Sequence, residues 1–226
     1  MNTCTKYWFL EGFNLFNKLG RITMMRMCEI LEMDSIDKGT TIQLLNNDKK
    51  SIFFLKKGTV KIIDTVNKNV KYIVKKGHIF GELSLYNEQA AVEEQAIALE
   101  DCIVCYIESE RMESIMEKHK SLKNGVLKVY GLRIKKLERR LQDLLYKDST
   151  TRIKEFIFDY IQEFGEEKNT RIIAKNLLSH KDIANLTNTS RQTVSNVLSS
   201  LRKNNIIAYN SQNISLFKTQ KQQDNI

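Results

Sequence analysis

Residues 179–205 read SHKDIANLTNTSRQTVSNVLSSLRKNN. The pattern predicts two short helices joined by a tight turn, with the second helix equipped for DNA. Ser179 and Asp182 fit an S-x-x-D capping box, which sets a helix start. Ile183, Ala184 and Leu186 give that helix an apolar face. The polar run Thr187-Asn188-Thr189 interrupts it, and Asn188 suits a left-handed turn position. Thr189 and Gln192 predict a second capping box. Val194, Val197, Leu198 and Leu201 then recur at helical spacing and face a core. The opposite face carries Arg191, Gln192, Ser195, Asn196 and Ser199, side chains that can bond to base edges and phosphates. The same pattern would also suit an ordinary helical hairpin with a solvated polar face.

Charge separates these readings. The chain has 226 residues and a formal net charge of +9. Residues 1–108 hold 14 Lys/Arg and 14 Asp/Glu, whereas residues 109–226 hold 22 and 13. All of the excess lies in the back half, so that half is expected to meet a polyanion. Lysine inflation by an AT-rich genome would not produce this asymmetry. No window approaches the ~18 apolar residues of a membrane span. The stretch MNTCTKYWFLEGFNLF lacks a basic segment followed by an apolar one. A cytoplasmic protein is expected, with Cys4, Cys28, Cys102 and Cys105 as reduced thiols.

The coarse organisation follows from periodicity. Residues 7–33 have a helical pattern (Phe9, Phe13, Phe16, Leu19, then Met24, Met27, Leu31). Residues 36–108 contain short β-branched and aromatic runs: 41–42, 52–55, 60–63, 71–74 and 102–107. Turn signals at Lys38-Gly39, Lys57-Gly58, 67–69 and Lys76-Gly77 separate them, which predicts a small antiparallel roll. Residues 109–146 return to a helical period. Leu127, Tyr130, Ile134, Leu137, Leu141 and Leu144 are spaced 3-4-3-4-3, the seam of a two-stranded dimer helix. A helix packed only on its own domain usually shows a wider apolar stripe. Residues 148–164 form a further amphipathic helix. The runs 206–209 and 214–217 flank the polar turn 210–213 as a small wing. The fold class is α+β: an N-terminal antiparallel jelly-roll domain with N-terminal helices (1–108), a long dimerisation helix (109–146) and a C-terminal winged helix-turn-helix (147–226).

Roll, long helix and winged helix-turn-helix, in that order, resemble the Crp/Fnr family of bacterial transcription regulators. Gly81-Glu82-Leu83-Ser84-Leu85 is similar to the family's G-E-[LM] effector cassette. Thr189-Ser190-Arg191-Gln192-Thr193-Val194-Ser195 is similar to its S-R-[EQ]-T-V recognition helix. The resemblance implies double-stranded DNA, a second copy of the chain and RNA polymerase at promoters as partners. It implies that Arg191 reads a guanine, and a bidentate guanidinium does fit the O6/N7 edge. It places Ser179, Ser190 and Thr193 at phosphates, near helix starts whose N–H groups favour phosphate. His180 and Lys181, beside Ser179, join them as phosphate candidates. Gln192 and Asn196 complete the base-contact set. They depart from the Glu and Arg often found there, and both suit adenine.

In relatives that bind cyclic AMP, an Arg-Ser pair after the cassette neutralises the phosphate, and here those positions are Val92 and Glu93. No arginine occurs from Leu83 to Ser109. Glu93 and Glu94 would each repel a phosphate by roughly 3 kcal/mol at ~5 Å and an effective dielectric of ~20. The dimer-helix positions that meet adenine in those relatives are Leu137 and Glu138. The roll, with pocket positions Gly81, Glu82, Leu83, Val92 and Glu93, is therefore expected to keep the cyclic-nucleotide-binding fold without competence for cyclic AMP. Any effector is left unidentified.

Cys102 and Cys105 lie three apart in an alternating strand, point to opposite faces, and read as buried structural thiols. His78, His119 and His180 are too scattered for a metal, so neither metal nor cofactor is expected. No triad, P-loop or carboxylate pair points to an enzyme. The reading is a homodimeric, sequence-specific regulator acting on inverted repeats. Its rivals are a cyclic-nucleotide-responsive regulator with an atypical pocket and a non-DNA effector-binding or scaffold protein. Base-facing Arg191, Gln192 and Asn196 weigh against the scaffold, since a protein interface prefers aromatics.

Overall fold

The β-branched and aromatic runs of residues 41–107 do form strands, and non-local pairing adds others that their own residues do not announce. The computed structural model describes residues 6, 7, 10, 13, 15, 16, 19–46, 49–81 and 94–217. Among these, one antiparallel sheet has the order β1 (Glu32–Ile36), β9 (Cys102–Glu108), β4 (Lys49–Lys57), β3 (Leu45–Asn46), with β7 (Ile79–Gly81) also paired to β4. A second has the order β2 (Thr41–Ile42), β8 (Glu94–Ala98), β5 (Thr59–Asp64), β6 (Val70–Lys75), again antiparallel.

β4 explains the continuous apolar run Ile52–Leu55. Phe53 and Leu55 join Val60, Ile62, Val74, Phe80 and Val104 in one core. Ile52 and Phe54 join Phe13, Phe16, Met27, Met112 and Leu122 in another. A strand covered on both faces loses its polar alternation. Cys102 belongs to the first core and Cys105 to the second, as the strand period requires.

The helical reading of 7–33 needs correction. Of the described residues, Lys6, Tyr7 and Leu10 are helical, four-residue turns such as Phe13 N–H to Leu10 O and Phe16 N–H to Phe13 O follow, and the helix then resumes as α1 (Arg21–Ile30). Glu32 and Met33 are not helical but open β1, in register with Tyr106 and Cys105. The single helix read over 109–146 is two: α2 (Ser109–Lys118) and α3 (Lys120–Tyr146). His119 lies between them at φ −128°, ψ 87°. Its N–H closes α2 onto Ile115 O, and its carbonyl accepts from Leu122 and Lys123.

The chain divides into two compact units, 1–137 and 138–226. The second unit contains the end of α3, then α4 (Ser149–Phe164), which is capped by Asp148 accepting from Thr151 N at 3.0 Å. The wing is a four-stranded sheet rather than a lone hairpin, with order β10 (Glu166–Lys168), β11 (Arg171–Lys175), β13 (Asn213–Phe217), β12 (Ile207–Tyr209). Between its strands run α5 (His180–Thr187) and α6 (Arg191–Lys203). Ile153, Ile157, Ile161, Ile183, Val194 and Leu198 are all buried there. Among the described residues, no helix is long and apolar enough to cross a membrane.

Candidate nucleic-acid interface

The first capping box forms as the spacing predicts. Ser179 Oγ accepts from Asp182 N at 3.1 Å, and Asp182 Oδ2 accepts from Ser179 N at 3.0 Å and Ser179 Oγ at 2.7 Å. Asp182 is buried, so these bonds satisfy a carboxylate that would otherwise be costly. Asn188 ends α5 in the left-handed region, at φ 49° and ψ 58°.

The second cap is shifted by one residue. Ser190, not Thr189, is the N-cap of α6, and its Oγ accepts from Thr193 N at 3.0 Å. Thr189 Oγ1 lies 2.9 Å from Thr187 Oγ1 instead. Hydroxyls stand three residues before a polar side chain in both frames, and the left-handed turn at Asn188 selects the later one.

α6 buries Val194, Val197, Leu198 and Leu201 and leaves Arg191, Gln192, Asn196 and Ser199 exposed. Gln192 Nε2 donates to Asn196 Oδ1 at 3.0 Å. Ser190 Oγ and Thr193 Oγ1 are 2.8 Å apart at the head of the same helix. Ser179 and Lys181 are exposed and His180 is half-buried, all at the start of α5. Cation, amides and hydroxyls thus gather at the head of α6, the combination that base edges and phosphates require.

Two arginines that the spacing rules missed support this motif from behind. Arg152 donates to Lys147 O at 2.6 Å, Thr187 O at 3.1 Å and Asn188 O at 3.2 Å. Arg140 donates to Asn185 O at 3.4 Å. Together they satisfy carbonyls at the C-terminal end of α5, where cations are favoured. Asn176 was missed as well. It grips the wing turn through Nδ2 to Asn210 O at 2.7 Å and through N–H to Gln212 O at 2.8 Å. Apart from Lys147, five residues before Arg152, their partners lie 34 to 45 residues away in sequence, so no local motif marks them.

Of the effector-pocket positions, Glu82, Leu83, Val92 and Glu93 lie outside the described residues. Gly81 ends β7 at φ 91°, and a Cβ there would overlap the Ser51 carbonyl oxygen. Backbone packing therefore demands glycine at this place. Glu94 is not the uncompensated charge expected from sequence. Lys71 Nζ lies 2.6 Å from its Oε1, and Tyr72 donates to Oε2 at 3.4 Å. Arg133 sits over the Tyr72 ring, 3.9 Å from its centre. Burial pushes the Tyr72 phenol well above its ordinary range.

On α3, Leu122 and Val126 are buried and Tyr130 is half-buried, all against the roll core. Leu127, Ile134, Leu137 and Leu141 stand exposed at 55–58%, and Leu144 is half-buried. Cys28, Cys102 and Cys105 are free and buried. Burial pushes Cys105 up to about 12, so it holds its proton at neutral pH. No metal-binding cluster exists among the described residues.

A cyclic nucleotide-binding domain model matches residues 33–119, and a Crp-like helix-turn-helix domain model matches residues 151–221. The chain is 25% identical over 191 residues to a global nitrogen regulator of Synechococcus elongatus, spanning 83% of this chain and 86% of that one. It is 24% identical to an anaerobic regulatory protein of Bacillus subtilis, over 80% of this chain and 79% of that one. A solved CooA mutant from Carboxydothermus hydrogenoformans shares the fold at TM-score 0.69 and 21% identity, covering 95% of this chain and 93% of that one.

Proposed function

The chain belongs to the Crp/Fnr family of transcription regulators, and from that membership we propose that it is a homodimeric, sequence-specific regulator of inverted-repeat DNA sites. The observation that carries the proposal is the exposed face of α6, where Arg191, Gln192 and Asn196 stand clear above a buried apolar face. In this reading 1–108 is the effector-type roll, 109–146 the dimerising segment and 147–226 the DNA-binding domain. It works in the cytoplasm with RNA polymerase at promoters and carries no enzymatic activity. The exposed leucines and Ile134 of α3 meet their counterparts in a second copy, with Tyr130 and Leu144 at the margins. Two-fold symmetry then sets two recognition helices ~34 Å apart, or a multiple of that. Selection from random duplexes is expected to return two symmetric half-sites. A single asymmetric element would overturn the reading.

Arg191 reads a guanine, while Ser179, His180, Lys181, Ser190 and Thr193 lie toward phosphates. Arg191→Ala is expected to cost ~1–3 kcal/mol on the specific site and to relax one G·C pair. Lys181→Ala is expected to weaken all sequences alike and to flatten the salt dependence. Competition titrations at several salt concentrations check both. Uniform weakening by Arg191→Ala would reduce that residue to a phosphate contact.

The roll does not bind cyclic AMP or cyclic GMP tightly. Val92 and Glu93 replace the phosphate-neutralising pair, and burying an unpartnered phosphate costs several kcal/mol. Bonds from Glu82 to a ribose would return only ~1.5–3 kcal/mol. Two cations of the described roll are already engaged: Lys71 with Glu94, and Arg133 with Tyr72. Arg140 lies in the second unit and serves Asn185. Calorimetric titration is expected to show neither nucleotide binding. Micromolar binding abolished by Glu82→Ala would establish a working pocket.

A further inference from the structure

We infer that Gln192 and Asn196 act as one hydrogen-bonded unit that selects a single adenine in each half-site. The inference rests on the DNA-binding reading above and specifies what that surface reads. Gln192 lies in the first turn of α6 and Asn196 one turn further on, both exposed. Residues four apart are neighbours on a helix face, and here Gln192 Nε2 donates to Asn196 Oδ1 at 3.0 Å.

A primary amide has two N–H donors and one oxygen with two lone pairs. The internal bond uses one donor of Gln192 and one lone pair of Asn196. The carbonyl of Gln192 and the NH2 of Asn196 keep their full capacity. The pair therefore offers an acceptor from one residue and a donor from the other. Exchanging oxygen and nitrogen in both amides swaps the roles but leaves the same combination.

Base edges in the major groove differ in what they return. Adenine presents an acceptor at N7 and a donor at N6. Guanine presents two acceptors, cytosine a donor, and thymine an acceptor beside a methyl group. Only adenine satisfies both halves of the amide pair at one base. Against guanine, the Gln192 carbonyl would face O6, lone pair to lone pair. A single Asn or Gln ordinarily makes both adenine bonds itself; here the task is divided between two side chains. The internal bond also restrains two flexible side chains before DNA arrives, which lowers the ordering cost on binding.

Dividing the contact has a measurable signature. If the two amides act together, losing either loses the adenine preference, and losing both costs little more. If they read separate bases, the losses fall at two positions and add.

The test uses the full-length protein. Selection from random duplexes identifies the half-site, and affinities are then measured for A·T and G·C at each position near the Arg191-dependent G·C pair. The wild type is expected to favour A·T at one position by roughly tenfold or more. Gln192→Ala, Asn196→Ala and the double variant are each expected to reduce that preference to a similar residue. The Arg191-dependent preference should survive in all three. Gln192→Glu supplies only acceptors outward and is expected to move the preference toward cytosine. Additive losses at two positions, or an unchanged adenine preference in either single variant, would overturn the inference. A half-site with the Arg191-dependent G·C pair but no adenine would overturn it alone. Failure of the wild type to select any site would overturn the DNA-binding reading and the inference together.

Discussion

Changing Leu137 and Leu141 to aspartate is expected to give a monomer that has lost most of its DNA affinity. Both leucines stand more than half exposed on α3, in line with Leu127 and Ile134. In a two-fold pair each change counts twice, so four leucines leave the seam. At ~1.5–3 kcal/mol for each buried leucine, roughly 6–12 kcal/mol of apolar association is removed. Four carboxylates placed in the same seam add repulsion and desolvation. Linking two weak half-site contacts contributes ~10²–10⁴ to binding, and the monomer forfeits that factor. Sedimentation together with titration on a full site checks both parts. An unchanged dimer would show that the exposed stripe is not the interface.

The second large effect is expected at Gly81→Ala, a change of one methyl group. Gly81 sits at φ 91°, and the added Cβ would overlap the Ser51 carbonyl oxygen on the neighbouring strand. A non-glycine residue in that region costs ~1–3 kcal/mol in backbone strain. Displacing β7 from β4 disturbs a packed core at a further ~1–3 kcal/mol. A combined loss of about 2–6 kcal/mol should lower the unfolding midpoint by roughly 10 °C. Thermal unfolding without any ligand is the appropriate measurement. Wild-type stability in Gly81→Ala would mean that β7 accommodates the methyl group and that the glycine serves something other than the roll's backbone.

The helix-turn-helix was legible because its signals are local. A capping box spans four residues, a left-handed asparagine marks a turn by itself, and an amphipathic face repeats within one helix. Even there, with adjacent hydroxyls at Thr189 and Ser190, the spacing placed the cap one position early, at Thr189 instead of Ser190. β1 was illegible for the opposite reason. Glu32–Ile36 become a strand by pairing with β9, about seventy residues away, and tertiary context overrides weak local preference. The break at His119 carries no glycine or proline to announce it. β10 escaped notice because Glu166–Lys168 are all exposed and show no alternation. On the candidate interface, Arg191, Gln192 and Asn196 follow from helical phase alone. The bond joining the two amides, and the arginines behind α5, depend on rotamers and on distant backbone that periodicity does not describe.

Those arginines decide where a self-sufficient DNA-binding fragment begins. Cutting the chain in the linker after Tyr146 looks natural, since α3 ends there and Asp148 caps α4. Such a cut would discard Arg140, whose guanidinium serves Asn185 O, and Arg139, which lies 3.4 Å from Asp159. It would also discard Asp143, the carboxylate 2.6 Å from Lys147. The last two turns of α3 are thus structurally part of the unit that follows them, which is why that unit starts at Glu138. Those same two turns also carry Leu141 and Leu144 of the stripe offered for pairing, so one length of helix serves both roles.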